Sequence, residues 1–135
     1  IIALDATPRR RPGGETPEGI LRQIRGHYPD ALVMGEISTL EEAKRIIPMK
    51  FDLISTTLSG YTRESQEVKA VNLDLIRQIH AITDIPIIAE GKIRCEQEAV
   101  EALKGGAHAV VVGTTITRPE IITERYVDAI REAEG

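Results

Sequence analysis

The sequence predicts an α/β fold of parallel strands covered by helices, and it favours a (β/α)8 TIM barrel over an open doubly wound sheet. Short apolar runs rich in β-branched residues alternate with stretches of helical periodicity along the chain. Strands that are apolar throughout are typical of a parallel sheet buried under helices. No glycine-rich dinucleotide fingerprint follows the first strand, whereas polar residues or glycines follow nearly every strand, as the active-site loops of a barrel do.

Five strands are predicted, because five short apolar runs have the character of fully buried strands. These runs cover residues 1–4, 31–34, 52–55, 86–89 and 109–112. The polar or glycine residues that we expect at their active-site ends are Asp5, Glu36, Thr56, Glu90 and Gly113.

Five helices are predicted between and after the strands, over residues 17–27, 39–47, 72–81, 96–104 and 120–132. Thr16 and Pro17 suit the N-cap and the first position of a helix. Thr39 and Glu42 have the spacing of a capping box, and the glycines at 105–106 suit a helix end. The helix boundaries therefore carry their own signals.

The chain of 135 residues has the usual size of one domain. Five βα units are too few to close a barrel of eight, so we expect about three further units before Ile1. We therefore interpret residues 1–135 as the carboxyl-terminal portion of a single phosphate-binding TIM barrel, with about its last five βα units present.

Composition disfavours several classes of protein. The net charge is −4, and the basic cluster at residues 9–11 has no interleaved aromatic residues, which disfavours a nucleic-acid partner. The longest apolar run is far shorter than the roughly 20 residues of a membrane helix, so no membrane association is expected. The single cysteine, Cys95, forms no intramolecular disulfide and no secretory segment is seen, which together predict a cytoplasmic location.

No motif for metal, serine-hydrolase or nucleoside-triphosphate chemistry is present in the sequence. His27, His80 and His108 fall near helix ends or ahead of a strand, away from the predicted active-site end. Zinc-ligand spacing, a Gly-x-Ser-x-Gly elbow and a Walker lysine are all missing from the sequence. We therefore expect no metal site.

The loops after the last two strands are the candidate phosphate site. Each strand runs into glycine and then a helical segment, and glycines at these positions let backbone N–H groups approach an anion. The predicted phosphate-binding residues are Gly91, Lys92, Gly113 and Thr114. Glycines that only make tight turns are the alternative interpretation.

Two carboxylates stand at predicted strand ends. Glu90 follows an apolar strand directly, where burial can raise the pKa of a carboxyl and suit it to proton transfer. Glu36 occupies the same kind of position. Together they predict a polar, acid-base pocket, with structural carboxylates paired to a lysine or arginine as the alternative.

Arginines near the active-site end are the remaining candidates. Arg118 precedes Pro119 at the start of the last helix, where it can face the barrel mouth and bind an oxyanion or sugar hydroxyls, although a surface position is also open. Asp5, Arg9 and Arg11 follow the first strand and are interpreted as a solvated charge run.

These motifs resemble those of the N-acetylmannosamine-6-phosphate 2-epimerase family of sialic acid catabolism. Leu-Asp-Ala-Thr at 4–7, with Arg9, Arg11 and Pro12, is similar to the signature of the family's fourth strand. Four further segments agree in order and spacing, at 33–39, 56–62, 88–93 and 111–119. The resemblance covers essentially every residue of the chain, and its tyrosine-containing loop together with Ile-Thr-Arg-Pro is specific.

The resemblance implies an isomerase, an N-acylglucosamine-6-phosphate 2-epimerase, that needs no cofactor. Such enzymes interconvert N-acetylmannosamine 6-phosphate and N-acetylglucosamine 6-phosphate by removing and returning the C2 proton. The resemblance makes Glu90 the catalytic glutamate and Arg118 the active-site arginine, and it places the phosphate loops at Gly91 and at Gly113 to Thr114. The C2 proton is removed either from the open-chain sugar, where the C1 carbonyl acidifies it, or from a ring form with strong electrostatic help, and either route needs a base and stabilisation of developing charge.

The chain departs from the family pattern in two ways. Glu36 stands where the family commonly has aspartate, which keeps the carboxylate but extends its reach by one methylene. The family's catalytic lysine and a further substrate-binding arginine belong to strands that precede those seen here. The resemblance therefore implies that part of the active site lies outside this chain.

Other functions are open at this point. A thiazole-phosphate synthase or a pentulose-phosphate 3-epimerase has the same kind of barrel, although the latter needs metal-binding histidines at strand ends. A non-catalytic half-barrel that serves binding or oligomerisation is the alternative outside enzymes. The expected partner is a small sugar phosphate, and pairing as a homodimer is left open.

Overall fold

The computed structural model describes residues 1–134 and contains one parallel sheet of five strands. The strands are β1 (Ile2–Asp5), β2 (Val33–Glu36), β3 (Leu53–Ser55), β4 (Ile87–Glu90) and β5 (Ala109–Val111). Each corresponds to a predicted strand, and the ends differ by at most two residues. Apolar runs rich in β-branched residues therefore locate the strands of this chain correctly.

Helices follow every strand, as predicted. They are α1 (Pro17–His27), α2 (Leu40–Ile46), α3 (Leu73–His80), α4 (Glu96–Lys104), α5 (Thr114–Thr117) and α6 (Pro119–Glu134). Two short 3-10 turns, Ile47–Met49 and Arg63–Ser65, complete the elements. The one-turn helix α5 forms directly after Gly113, between the fifth strand and the predicted last helix.

The strand order identifies the winding of the sheet. Each strand pairs in parallel with the next one in the chain, in the order β1-β2-β3-β4-β5. A doubly wound sheet reverses this order at a switch point, which places helices on both faces. Because parallel crossovers share one hand, an unreversed order places the connecting helices on one face, as in a barrel.

Alternate side chains of the strands face the helices and form the core. Val33 and Ile87 are buried on this face, whereas their neighbours Met34 and Ile88 are only half-buried on the opposite face. The largest fully buried side chains of the core come from both strands and helices, and they are Ile37, Ile46, Ile54, Ile76, Ile79, Ile87 and Val33. The hydrophobic core thus lies between the sheet and the helices that cover it.

The predicted helix starts are present in the structure. Thr16 Oγ1 accepts a hydrogen bond from the Gly19 N–H at 3.1 Å, with Pro17 at the first helical position of α1. The capping box of Thr39 and Glu42 begins α2. Side chains that satisfy the first N–H groups of a helix fix where it begins.

Glu42 also ends a buried chain of hydrogen bonds that anchors the loop after β3. Its Oε2 accepts from the Ser38 N–H at 2.7 Å, from Ser38 Oγ at 2.8 Å and from the Thr39 N–H at 3.2 Å. Thr62 Oγ1, in the loop after β3, donates to Ser38 Oγ at 2.8 Å. Loss of the Glu42 carboxylate would therefore leave buried donors without an acceptor.

We expect Glu42→Ala to lower the free energy of unfolding by about 1–3 kcal/mol, the cost of buried donors that lose their acceptor. Glu41→Ala is the matched control, because Glu41 lies in the same first turn of α2 but is exposed. Urea denaturation of both variants measures the difference. Equal stabilities of the two variants would contradict a structural role for Glu42.

Candidate active site

The carboxyl ends of the strands bring three acidic residues to one edge of the sheet. Asp5 pairs in register with Glu36 across β1 and β2, and Glu36 pairs with Ser55 across β2 and β3. Glu90 ends β4, the strand beyond β3. Since the ends of parallel strands share one edge, these side chains line what would be the mouth of a barrel.

Glu90 is held by two consecutive threonines after β3. Thr56 Oγ1 accepts from the Glu90 N–H at 3.1 Å and donates to the Glu90 carbonyl oxygen at 3.0 Å, which fixes the backbone. Thr57 Oγ1 donates to Glu90 Oε2 at 2.9 Å, which orients the carboxylate. Both the backbone and the carboxylate of Glu90, the residue predicted to serve proton transfer, are therefore held in place.

Glu36 lies beside this carboxylate in an environment that disfavours its charge. Burial raises its pKa; the hydroxyl of Thr57 opposes the rise, and the negative charges of Glu90 and Asp5 add to it. The net pKa of Glu36 is raised above its ordinary value. The protonated form of Glu36 is thus favoured relative to that of a glutamate in water.

Asp5 has the opposite shift. Burial opposes its ionisation, but hydrogen bonds from the side chain and backbone of Thr7 and the Arg9 guanidinium outweigh burial and lower the pKa of Asp5. Arg11 donates to the Asp5 carbonyl oxygen, and its side chain is only 16% exposed. The prediction of a solvated charge run is therefore wrong for Arg11, whose guanidinium is held by contacts with the end of β1.

A cavity of about 570 Å³ opens next to Glu90, between the loops after β3, β4 and β5. Gly91 adopts a φ of +98°, and a Cβ there would approach the Thr57 carbonyl oxygen to 3.3 Å, so only glycine suits this turn. Gly113 precedes α5, and the first N–H groups of a helix have no acceptor within it. The cavity therefore has glycine-containing backbone on two sides.

Lys92 lines this cavity but is turned toward an aromatic ring. Its φ of +60° is in the left-handed region, and its ammonium lies 4.3 Å from the centre of the Tyr61 ring. A cation over the face of an aromatic ring is an attractive contact. Lys92 thus joins the loop after β4 to the loop after β3 and places positive charge in the cavity wall.

The structure separates Arg118 from the other predicted site residues. Glu90, Gly91, Lys92, Gly113 and Thr114 all line the cavity. Glu36 adjoins Glu90, as described above. Arg118 is exposed and donates to Glu120 at 2.7 Å, and this hydrogen bond is the main cause of the lowered pKa of Glu120.

Sequence analysis missed several residues of the cavity. Arg125 of α6 lines it and donates to the Arg94 carbonyl oxygen at 2.9 Å. The sequence signal for Arg125 is its spacing of four residues from Ile121, which places both on one face of the helix. In the structure, Ile121 and Ile122 line the same cavity. Thr57 and Tyr61 were quoted only as parts of a motif, and their roles depend on contacts across strands.

Glu36→Gln is expected to stabilise the protein at pH 7, because it removes a charge that burial and the neighbouring carboxylates disfavour. The gain should be less than about 1 kcal/mol, because solvent reaches the carboxyl and screens the repulsion. A raised pKa means that the stabilising protonated form is present at low pH and is lost as the pH rises through the folded-state pKa. Melting temperatures should therefore differ at pH 7 and converge below about pH 4. The same difference at both pH values would contradict the assigned environment.

None of the helices within residues 1–134 combines the length and apolar character needed to cross a membrane. Within the same part of the chain, no group of three or more histidine, cysteine, aspartate or glutamate residues is arranged to hold a metal ion.

Known proteins match the chain along nearly its whole length. A relative from Caldanaerobacter subterraneus subsp. tengcongensis, named "Putative N-acetylmannosamine-6-phosphate 2-epimerase", is 51% identical over 132 residues, which are 98% of this chain and 56% of that protein. The solved N-acetylmannosamine-6-phosphate 2-epimerase from Clostridium perfringens superposes with a TM-score of 0.87 at 44% identity, covering 95% of this chain and 55% of that one. This chain thus spans about half the length of the curated relatives it matches.

A more distant match concerns the fold alone. A thiamine phosphate pyrophosphorylase from Pyrococcus furiosus has a TM-score of 0.61 at 20% identity, over 98% of this chain and 60% of that chain. Together with the strand order, these matches confirm the prediction of a TIM barrel of which only part is present. The family model described as "Putative N-acetylmannosamine-6-phosphate epimerase" matches residues 1–132. The chain therefore belongs to the N-acetylmannosamine-6-phosphate epimerase family.

Proposed function

We propose that this chain carries part of the active site of an epimerase that interconverts N-acetylmannosamine 6-phosphate and N-acetylglucosamine 6-phosphate. The observation that carries the proposal is the position of Glu90. Its carboxylate is fixed by Thr57 at the edge of a cavity that has glycine-containing loops on two sides. A phosphate held by those loops would place the sugar against the carboxylates.

The chemistry of the proposal is proton transfer at C2 of the open-chain sugar. The neighbouring C1 carbonyl acidifies this proton, and a carboxylate within hydrogen-bond reach can remove it, return it or orient the sugar for a second base. Glu36, with its raised pKa, would supply a hydrogen bond or a proton to a sugar oxygen. The resemblance implies a lysine base outside this chain, with which Glu90 would act.

We assign the phosphate to Gly91, Lys92, Gly113 and Thr114. Backbone N–H groups next to glycines and a nearby ammonium favour a dianion. Arg118 forms an ion pair with Glu120 in the structure. It would have to leave Glu120 in order to bind the substrate. Arg94 and Arg125 already line the cavity.

The proposal extends to the class of the enzyme and its surroundings. It is an isomerase of the N-acylglucosamine-6-phosphate 2-epimerase type that works without a cofactor, in the cytoplasm and without a nucleic-acid partner. Pairing as a homodimer belongs to the same proposal. The exposure of Tyr126 and Ile130 on α6 does not by itself favour it, because the last helix of a barrel also packs against the units that precede this chain.

Proton NMR of the substrate tests the function. N-acetylmannosamine 6-phosphate is incubated with purified protein that includes the preceding βα units and their lysine, and the acetyl signal of N-acetylglucosamine 6-phosphate is followed. Unphosphorylated N-acetylmannosamine is the control, because the phosphate loops predict that it reacts much more slowly. Binding of the phosphorylated sugar without conversion would contradict the epimerase and favour a non-catalytic binding module.

A further inference from the structure

The hydroxyl of Thr57 lies between the two carboxylates of the site. Ser55, two residues earlier on β3, pairs in register with Glu36 on β2, and the pairing of β3 with β4 continues to Thr56, whose N–H donates to the Ile88 carbonyl oxygen. The Thr57 side chain thus emerges between the strands that end in Glu36 and Glu90. Its hydroxyl contacts Glu90 and also lowers the pKa of Glu36.

Counting protons gives this contact a direction. A threonine hydroxyl has one proton to donate and two lone pairs that accept. Thr57 Oγ1 donates its proton to Glu90 Oε2 at 2.9 Å, so the contact of 2.6 Å with Ser55 Oγ requires Ser55 to be the donor. Ser55 is fully buried, so no solvent competes for its hydroxyl. The chain of hydrogen bonds therefore runs from Ser55 through Thr57 to Glu90.

Within residues 1–134, the side-chain hydroxyl that favours the charged form of Glu36 is that of Thr57. The charged groups that face Glu36 are Asp5 from β1, which is itself bound by Arg9, and Glu90 from β4, and both carboxylates disfavour its charge. A proton that Thr57 gives to one carboxylate is withheld from the other. The two glutamates consequently compete for a single neutral donor.

We propose that Thr57 is a positioning residue whose one hydroxyl proton serves Glu90 or Glu36 in turn, so that the two carboxylates act as a linked pair in proton transfer. This inference rests on the proposed function, because it assigns a role within the same site. When Glu90 is charged, Thr57 donates to it, and the protonated form of Glu36 is favoured. When Glu90 takes the C2 proton from the substrate, Glu36 gives its own proton to a sugar oxygen, and the released hydroxyl of Thr57 donates to the negative charge left on Glu36.

The titration of Glu36 tests the linkage without any turnover. Uniformly ¹³C-labelled protein is titrated, and the side-chain carboxyl signal of Glu36 is assigned by its loss in Glu36→Gln. Thr57→Val removes the hydroxyl but keeps the shape, and Thr57→Ser keeps the hydroxyl. We expect the Glu36 midpoint to move upward in Thr57→Val, because the contact that favours its charge is gone, and to stay near wild type in Thr57→Ser.

A midpoint that is the same in wild type and Thr57→Val would overturn the proposal, and so would an equal movement in both variants, which would indicate a packing effect of the methyl group. Circular dichroism confirms that each variant is folded.

Kinetics adds a second arm: Thr57→Val should lower kcat about 10-fold or more with little change in KM, and Thr57→Ser should restore most of it. A protein that binds but does not convert its substrate would sink the proposed function, and the titration would still decide the role of Thr57.

Discussion

Replacing Glu90 with glutamine is expected to lower the turnover of N-acetylmannosamine 6-phosphate by about 10²–10⁴-fold, the usual contribution of a positioned acid or base. Glutamine keeps the size of the side chain and an oxygen that can accept from Thr57, so the fold and the position of the side chain should be retained. Under the proposed function, the variant loses the capacity to carry a proton or a negative charge beside C2. Initial rates measured at saturating substrate give the change in kcat.

Glu67→Gln is the control for the loss of one carboxylate, because Glu67 is exposed and lies in the loop after the same strand, β3, that supplies Thr57. It should turn over substrate at the wild-type rate. The mechanism would be contradicted by a Glu90→Gln variant that keeps wild-type kcat, since the fixed carboxylate would then have no chemical task.

Gly60→Ala is expected to lower the free energy of unfolding by about 2–4 kcal/mol, through backbone strain and overpacking together. Gly60 has a φ of +81°, in the left-handed region, and a Cβ there would overlap the Val68 carbonyl oxygen and the Lys92 side chain. The Val68 oxygen belongs to the backbone and cannot rotate away. The substitution should therefore also displace Lys92 from Tyr61.

The chain supplies a matched control for this prediction. Gly14 has a similar φ of +76°, but a Cβ there would meet no atom within 4 Å. Gly14→Ala should consequently show only the strain of the left-handed conformation, about 1–2 kcal/mol. Urea denaturation of both variants separates the two contributions, and equal losses would show that the packing around Gly60 has no cost.

The fold was predictable from local signals in the sequence. Each strand is an apolar run of a few residues, and alternation along β4 places Ile87 in the core and Glu90 with Ile88 on the opposite face. The capping box at Thr39 and Glu42 formed as its spacing predicted. Periodicity could not choose between a barrel and a doubly wound sheet, because that choice depends on the order of strands in space.

The site was less predictable, because its contacts join residues that are far apart in the chain. Glu90 could be picked from its place after a strand, but the threonine that orients it lies 33 residues earlier. Lys92 was assigned to phosphate by type, and its left-handed backbone turns it toward Tyr61. Asp5 was interpreted as part of a solvated charge run. The strand register that places it beside Glu36 is set by the sheet and cannot be seen in the local sequence.

The central claim, that Glu90 and its neighbours serve proton transfer at C2 of a phosphorylated amino sugar, is tested most directly by isotope exchange. N-acetylmannosamine 6-phosphate is incubated in D2O with protein that includes the preceding βα units, and proton NMR follows both the C2 proton and the product. The account predicts that deuterium enters C2 as N-acetylglucosamine 6-phosphate appears, and that Glu90→Gln slows both together. Epimerisation that leaves the C2 proton in place, or exchange that proceeds unchanged in Glu90→Gln, would contradict it.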